Sequence, residues 1–264
     1  MRRPAPSAEM SLWSWGLYGA FCGALVGVIA FAPARWLASA VREASNQKVD
    51  LANARGTVWS GSAQLVFSGG TGSGDTTVLP GDVRWQLEPR WNSLGARLSA
   101  DCCTPQALQV NAAPLGWGGL HLSLADGQSQ WPAGLLTGLG TPWNTVQPLG
   151  QLELSSKALT LDLAEGRVSL AGTFQIDALQ VSSRLSTLQP MGSYRVTLRG
   201  GAPTTLSLET LDGSLQLSGQ GQWLGQGLRF EGVANAAPGR LEALSNLLNI
   251  IGRRDGARSI LKVG

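Results

Sequence analysis

The sequence predicts a mainly β fold: one N-terminal transmembrane helix, then an antiparallel β-sandwich or open β-groove domain, then a short C-terminal amphipathic helix. Three observations carry this. Residues 11–34 form an uncharged run of 24 between Glu9 and Arg35. Between about 150 and 237, apolar and polar residues alternate with period two and turn residues interrupt at short intervals. After Pro238-Gly239, Leu241, Leu244, Leu247, Leu248 and Ile251 recur at helical spacing and stop at Gly252.

The uncharged run reads SLWSWGLYGAFCGALVGVIAFAPA. As a helix rising ~1.5 Å per residue it would cover about 36 Å, more than the roughly 30 Å of a hydrocarbon core. Trp13, Trp15 and Tyr18 near one end and Trp36 at the other suit the headgroup level. The competing reading is a cleaved signal peptide, with Arg2 and Arg3 as its basic region and Ala30-Phe31-Ala32 as a small-x-small site. A signal core runs only about 7–15 residues and Pro33 would follow the cut directly, so a retained anchor over 12–34 is expected. Arg35, Arg42, Lys48 and Arg55 outnumber Arg2 and Arg3, but long segments translocate largely regardless of charge. The expected orientation is therefore residues 1–11 in the cytoplasm and 35–264 beyond the membrane. Gly19, Gly23 and Gly27 line one face of the span, where small residues allow a second helix to approach closely; glycine is also simply frequent in membrane helices. Cys22 lies mid-span and reads as inert filling.

The region 50–149 alternates less evenly, with strands expected near 63–67, 83–87, 96–100, 108–111 and 120–124 and a glycine-rich loop at 69–74. The Gly- and Pro-rich segment 131–148 joins this half, about 50–130, to a second half at about 150–237, with Leu135-Leu136 in one helical turn. The second half offers strands at 151–154, 159–163, 168–170, 174–176, 194–199, 206–208, 215–217 and 228–230. Glu165-Gly166, Asp212-Gly213 and Gly225-Gln226-Gly227 are among its turns. No helix-length segment intervenes, so the sheet should be antiparallel. The helix at 240–251 closes the domain.

Composition narrows the function. The 264 residues are 43% hydrophobic and 14% charged with a net charge of +3, which excludes a wholly disordered chain. The pI near 9.0 does not mark a nucleic-acid binder: the first 40 residues carry +2 of the net charge, leaving +1 for the rest. His121 is the single histidine, on an alternating strand, where a solvated or hydrogen-bonded side chain is the ordinary reading. No metal-ligand spacing, nucleophile elbow, Walker loop or dinucleotide fingerprint occurs. No catalysis, cofactor or metal is therefore expected. Cys102 and Cys103 leave three outcomes open: a vicinal disulfide, two free thiols or an intermolecular bridge. On a strand their side chains would point to opposite faces, which disfavours the vicinal bond unless a turn lies there.

Five segments occur in order: Gly56-Thr57-Val58-Trp59-Ser60-Gly61, Leu139-Gly140-Thr141-Pro142-Trp143-Asn144-Thr145, Leu188-Gln189-Pro190-Met191-Gly192-Ser193-Tyr194-Arg195, the stretch from Thr210 to Gly219, and Leu247-Leu248-Asn249-Ile250-Ile251-Gly252-Arg253-Arg254. Together with the N-terminal span they resemble type II secretion system protein N, the general secretion pathway protein N family of Gram-negative bacteria. Met191 stands where leucine is usual. The resemblance implies a single-pass protein of the cell inner membrane with a periplasmic β-rich domain. It implies an accessory role in exporting folded periplasmic proteins across the outer membrane, with other type II secretion subunits as partners, namely the inner-membrane platform, the secretin or both. It supplies no catalytic residue. Physically, Trp59 reads as a large side chain buried where a strand begins and Asp212-Gly213 as a tight hairpin turn. Arg253 and Arg254 read as a cap on the closing helix, or as contacts to anionic lipid or an acidic partner.

A second reading is a lipid-binding or lipid-transfer β-groove of the envelope. Evenly alternating strands bury one face only, and that face needs a second sheet, a helix or acyl chains to cover it.

Overall fold

The computed structural model describes residues 12–116, 118–164, 166–224 and 227–264. The expected cytoplasmic segment 1–11, the turn residues Glu165, Gly225 and Gln226 and the side chain of Trp13 lie outside the described residues.

The apolar run is helical over α1, Leu12–Ala30, 19 residues and about 28 Å long. It stops short of the expected 12–34 because the following chain is claimed by the β domain. Pro33 bridges Thr57, the Val58 N–H donates to the Ala32 carbonyl (2.8 Å), and Ala32 and Ala34 are buried. Pro33, lacking an N–H, then sits at the start of a second helix, α2 (Ala34–Ala44), which the sequence reading did not anticipate. Among the described residues no helix is long and apolar enough to cross a membrane.

The strands follow: β1 (Val49–Gly56), β2 (Ser60–Ser68), β3 (Thr76–Val78), β4 (Val83–Arg90), β5 (Ser93–Ala100), β6 (Leu108–Leu115), β7 (Gly119–Leu124) and β8 (Gly127–Pro132). A 3₁₀ helix (Ala133–Leu139), which contains the expected turn at Leu135-Leu136, and α3 (Trp143–Val146) intervene. Then come β9 (Pro148–Ala164), β10 (Arg167–Ser183), β11 (Gly192–Arg199), β12 (Thr205–Gly213), β13 (Leu215–Leu224) and β14 (Gly227–Ala236). Helix α4 (Leu241–Ile251) matches the expected closing helix and is followed by β15 (Arg253–Asp255) and β16 (Arg258–Val263). The described strands form one 16-stranded antiparallel sheet in the order β1-β2-β4-β5-β6-β7-β9-β10-β11-β12-β13-β14-β16-β15, with β3 on β2 and β8 on β9. Of sandwich and open sheet, the structure is therefore the single open sheet.

The two expected halves are continuous because β7 and then β8 pair along the same edge of β9, whose other edge carries β10. The segments expected as separate strands at 151–154 and 159–163 are one strand, as are 168–170 and 174–176. Alternation slips at Lys157-Ala158 because a bulge sits there, Ala158 at φ 48° opposite Gly172 at φ 84°.

Register assigns each side chain to a face. One face carries Trp85, Leu87, Leu98, Val110, Leu122, Leu124, Leu161, Leu154, Phe174, Ile176, Val196, Leu198, Leu208, Phe230 and Leu261 and their row neighbours. Every Asp, Glu, Lys, Arg and His of the described strands lies on the other face, except Arg254 on the edge strand β15.

Three buried clusters seal parts of the apolar face. Helix α2 covers Ala63 and Trp85; the 3₁₀ helix brings Leu135 onto Leu79, Ala100 and Cys103; α4 brings Leu244, Leu247 and Leu248 onto Met191, Tyr194, Leu215 and Ala234. The chain exposes 16885 Å² in all, against roughly 11,000 Å² for a compact 27.6 kDa monomer. The exposed apolar side chains of α1 contribute to that excess.

Trp59 stands in the turn just before β2, half-buried, and its Nε1–H donates to the Ile29 carbonyl (2.8 Å); the deeply buried indole is Trp85. One local expectation is corrected. Arg253 and Arg254 do not cap α4. They begin β15, and the Arg254 Nε–H donates to the Gly256 carbonyl (2.8 Å), because Gly252 takes an extended conformation that leads straight into the edge strand.

Candidate functional site

The predicted packing face of Gly19, Gly23 and Gly27 lies on α1, and a Cβ added at any of the three meets nothing within 4 Å. Around them Trp15, Leu17, Tyr18, Phe21, Leu25, Val26, Val28 and Ile29 are all exposed, on every side of the helix. The free thiol of Cys22 is exposed on the same helix.

His121 stands on β7 directly opposite Asp162 on β9, and its Nδ1 is hydrogen-bonded to Asp162 Oδ1 on the polar face. Both side chains are partly exposed. Among the described residues no group of three or more His, Cys, Asp or Glu is placed to hold a metal ion.

Of the three outcomes open for the cysteines, the structure has the vicinal disulfide, Cys102–Cys103. The expected obstacle vanishes because residues 101–103 form a turn: the Cys103 and Thr104 N–H groups both donate to the Ala100 carbonyl (3.0 and 3.1 Å). Cys103 is buried in the cluster under the 3₁₀ helix, and Cys102 is exposed.

An ion pair that periodicity could not reveal lies on the polar face. Arg195 of β11 donates Nε–H to Asp177 Oδ1 and Nη2–H to Oδ2, each at 2.8 Å, across the β10–β11 ladder, and Gln175 donates to both oxygens. The Arg195 guanidinium holds the Asp177 carboxyl below the usual carboxylate range, against burial, which pushes the other way. The row continues to Glu153 on one side and Glu209 on the other. Beneath it Tyr194 is buried with no partner for its hydroxyl among the described residues, and burial pushes its pKa well above the ordinary value.

The segments singled out in the sequence converge. Met191, Tyr194, Leu215, Leu247 and Leu248, drawn from three of them, form one core cluster. Gly213, in the left-handed region at φ 131°, crosses Gly192 so closely that a Cβ would lie 2.2 Å from the Gly192 Cα. The Trp85 indole N–H donates to the Thr57 and Val58 carbonyls of a fourth segment, and Asn144 of the fifth donates to Asp75 Oδ2 (2.8 Å). These residues hold the sheet and its covering helices together.

Leu122, Leu124, Leu154, Leu161, Phe174, Ile176, Val196 and Leu198 belong to none of the three clusters and are only half-buried, in the middle of the apolar face. Alternation pointed to their face; it could not say that, among the described residues, none of the buried clusters under the helices reaches them.

Fold and site define a mainly β protein built on one antiparallel sheet, with an exposed apolar helix tied to its first strands. The chain belongs to the family of type II secretion system protein N, whose model matches residues 47–261. No curated protein and no solved structure matches it. Membership makes it a component of type II protein secretion, with other components of that system as its partners.

Proposed function

We propose that the protein is an accessory, non-catalytic component of the type II secretion machinery at the inner membrane. Helix α1 anchors it there and the sheet stands in the periplasm, contacting the inner-membrane platform, the secretin or both while folded proteins are exported across the outer membrane. The observation that carries this reading is the family match over most of the chain, joined to an apolar helix whose side chains are exposed on every side. At about 28 Å the helix is slightly shorter than a typical core, a mismatch met by local thinning of the bilayer at a modest cost. A structural role accords with motif residues that are spent on packing.

The test joins two measurements. A periplasm-active reporter fused after Gly264 is expected to be active while the full-length protein fractionates with the inner membrane; a soluble product beginning near Ala34 refutes the anchor. In a strain whose own gene is deleted, His121→Ala is expected to restore secretion as well as wild type. Loss of secretion with unchanged fold and protein level refutes the non-catalytic role.

A further inference from the structure

We infer that the middle of the apolar face, which the described helices leave outside their buried clusters, binds the acyl chains of membrane lipid. The contact surface runs from β6 to β12, with Leu124, Leu161, Phe174, Ile176, Val196 and Leu198 at its centre, all half-buried. Neighbouring strands lie about 4.8 Å apart, so this stretch spans about 24 Å, longer than the roughly 15 Å depth of one leaflet's hydrocarbon.

Chemistry selects the occupant. No ionisable side chain reaches this face on any of these strands, and the backbone groups are engaged in the ladders. The surface therefore offers apolar contact with no directional handle for reading a peptide, which suits a hydrocarbon chain.

Access is also one-sided. The long edge of the sheet at the ends of β5, β10 and β14 is sealed by the 3₁₀ helix, the 184–191 loop and α4. The opposite long edge, at the tips after β4, β6, β9 and β13, is open and fringed by exposed Trp91, Leu94, Leu120, Val168 and Trp223. Helix α1 joins the sheet at this same open edge, through the turn between β1 and β2, where Trp59 and Val58 bond to Ile29 and Ala32. The opening and the exposed apolar helix thus share one side of the molecule. Only the source of the lipid, a bilayer held by α1, rests on the function proposed above.

The experiment uses full-length protein reconstituted in vesicles of phosphatidylethanolamine and phosphatidylglycerol. A trace of the phosphatidylethanolamine carries a photoreactive diazirine in its acyl chain. After illumination, adducts are mapped by peptide mass spectrometry. Adducts are expected in β9–β12 as well as on α1. Ile176→Asp should lower those in β9–β12 at least tenfold and leave those on α1 unchanged, and Gln220→Lys on the opposite, exposed face should change neither. Leu198→Asp, nearer the open edge, replaces Ile176→Asp if that variant does not fold. Adducts confined to α1 overturn the acyl site and leave the membrane anchor standing; adducts nowhere overturn both. Equal labelling of wild type and the Asp variant overturns the site.

Discussion

Gly219, the last residue of the segment that begins at Thr210, tests the packing argument at one atom. It lies on the apolar face of β13 under the ring of Phe230 from β14. A methyl group there would stand 2.4 Å from Phe230 Cζ and 2.9 Å from both the Glu231 carbonyl oxygen and the Gly232 Cα. The backbone is pinned by pairing to Leu208 on one side and Gly232 on the other, so the ring must move first. Gly219 has no left-handed φ, and Gly219→Ala should even gain about 0.5–1 kcal/mol from the stiffer unfolded chain. Against this stand part of the roughly 1.5–3 kcal/mol of burying Phe230 and about 1–3 kcal/mol of overpacking. The net expectation is a loss of about 2 kcal/mol, or a Tm lower by about 4–8 °C for a chain of this size. Far-UV circular dichroism melts of the detergent-solubilised full chain measure it. In a double-mutant cycle with Phe230→Leu, more than about 1 kcal/mol of the loss should be absent, because the smaller side chain vacates the space. A wild-type Tm for Gly219→Ala, or strict additivity in the cycle, would refute the reasoning.

Asp177→Asn should lower Tm at neutral pH by about 3–6 °C, from about 1.5 kcal/mol of charge-assisted bonding that partial exposure of Arg195 keeps modest. Because the folded carboxyl titrates below its unfolded value, that stability is present above pH ~4 and is lost as pH falls through the folded pKa. The gap between wild type and variant should therefore close in acid, and a gap that persists or widens there sinks the assignment. Gly23→Ile should weaken recovery of membrane partners from mild detergent about tenfold, equivalent to ~1–2 kcal/mol of helix packing, while Phe21→Ile on another face should not. Equal recovery in both would leave the glycines incidental.

The sequence by itself determined the class of structure and the faces of its strands. Period-two alternation placed Asp162 and Arg195 on one side and Leu161, Ile176, Val196 and Leu208 on the other, because side-chain direction in a strand depends only on parity. The spacing of Leu241 to Ile251 likewise marked α4, and the ordered segments marked the family. Neighbours are another matter. Whether β7 and β8 share one edge of β9, whether residues 101–103 turn so that Cys102 and Cys103 can join, and whether Pro33 ends α1 by bridging Thr57 depend on partners distant in the chain. So does the contrast between Leu247, wholly buried, and Ile176, half-covered, although each sits at an apolar position of its own period. Periodicity says which way a side chain points; only the pairing of strands and the docking of helices decides what meets it there.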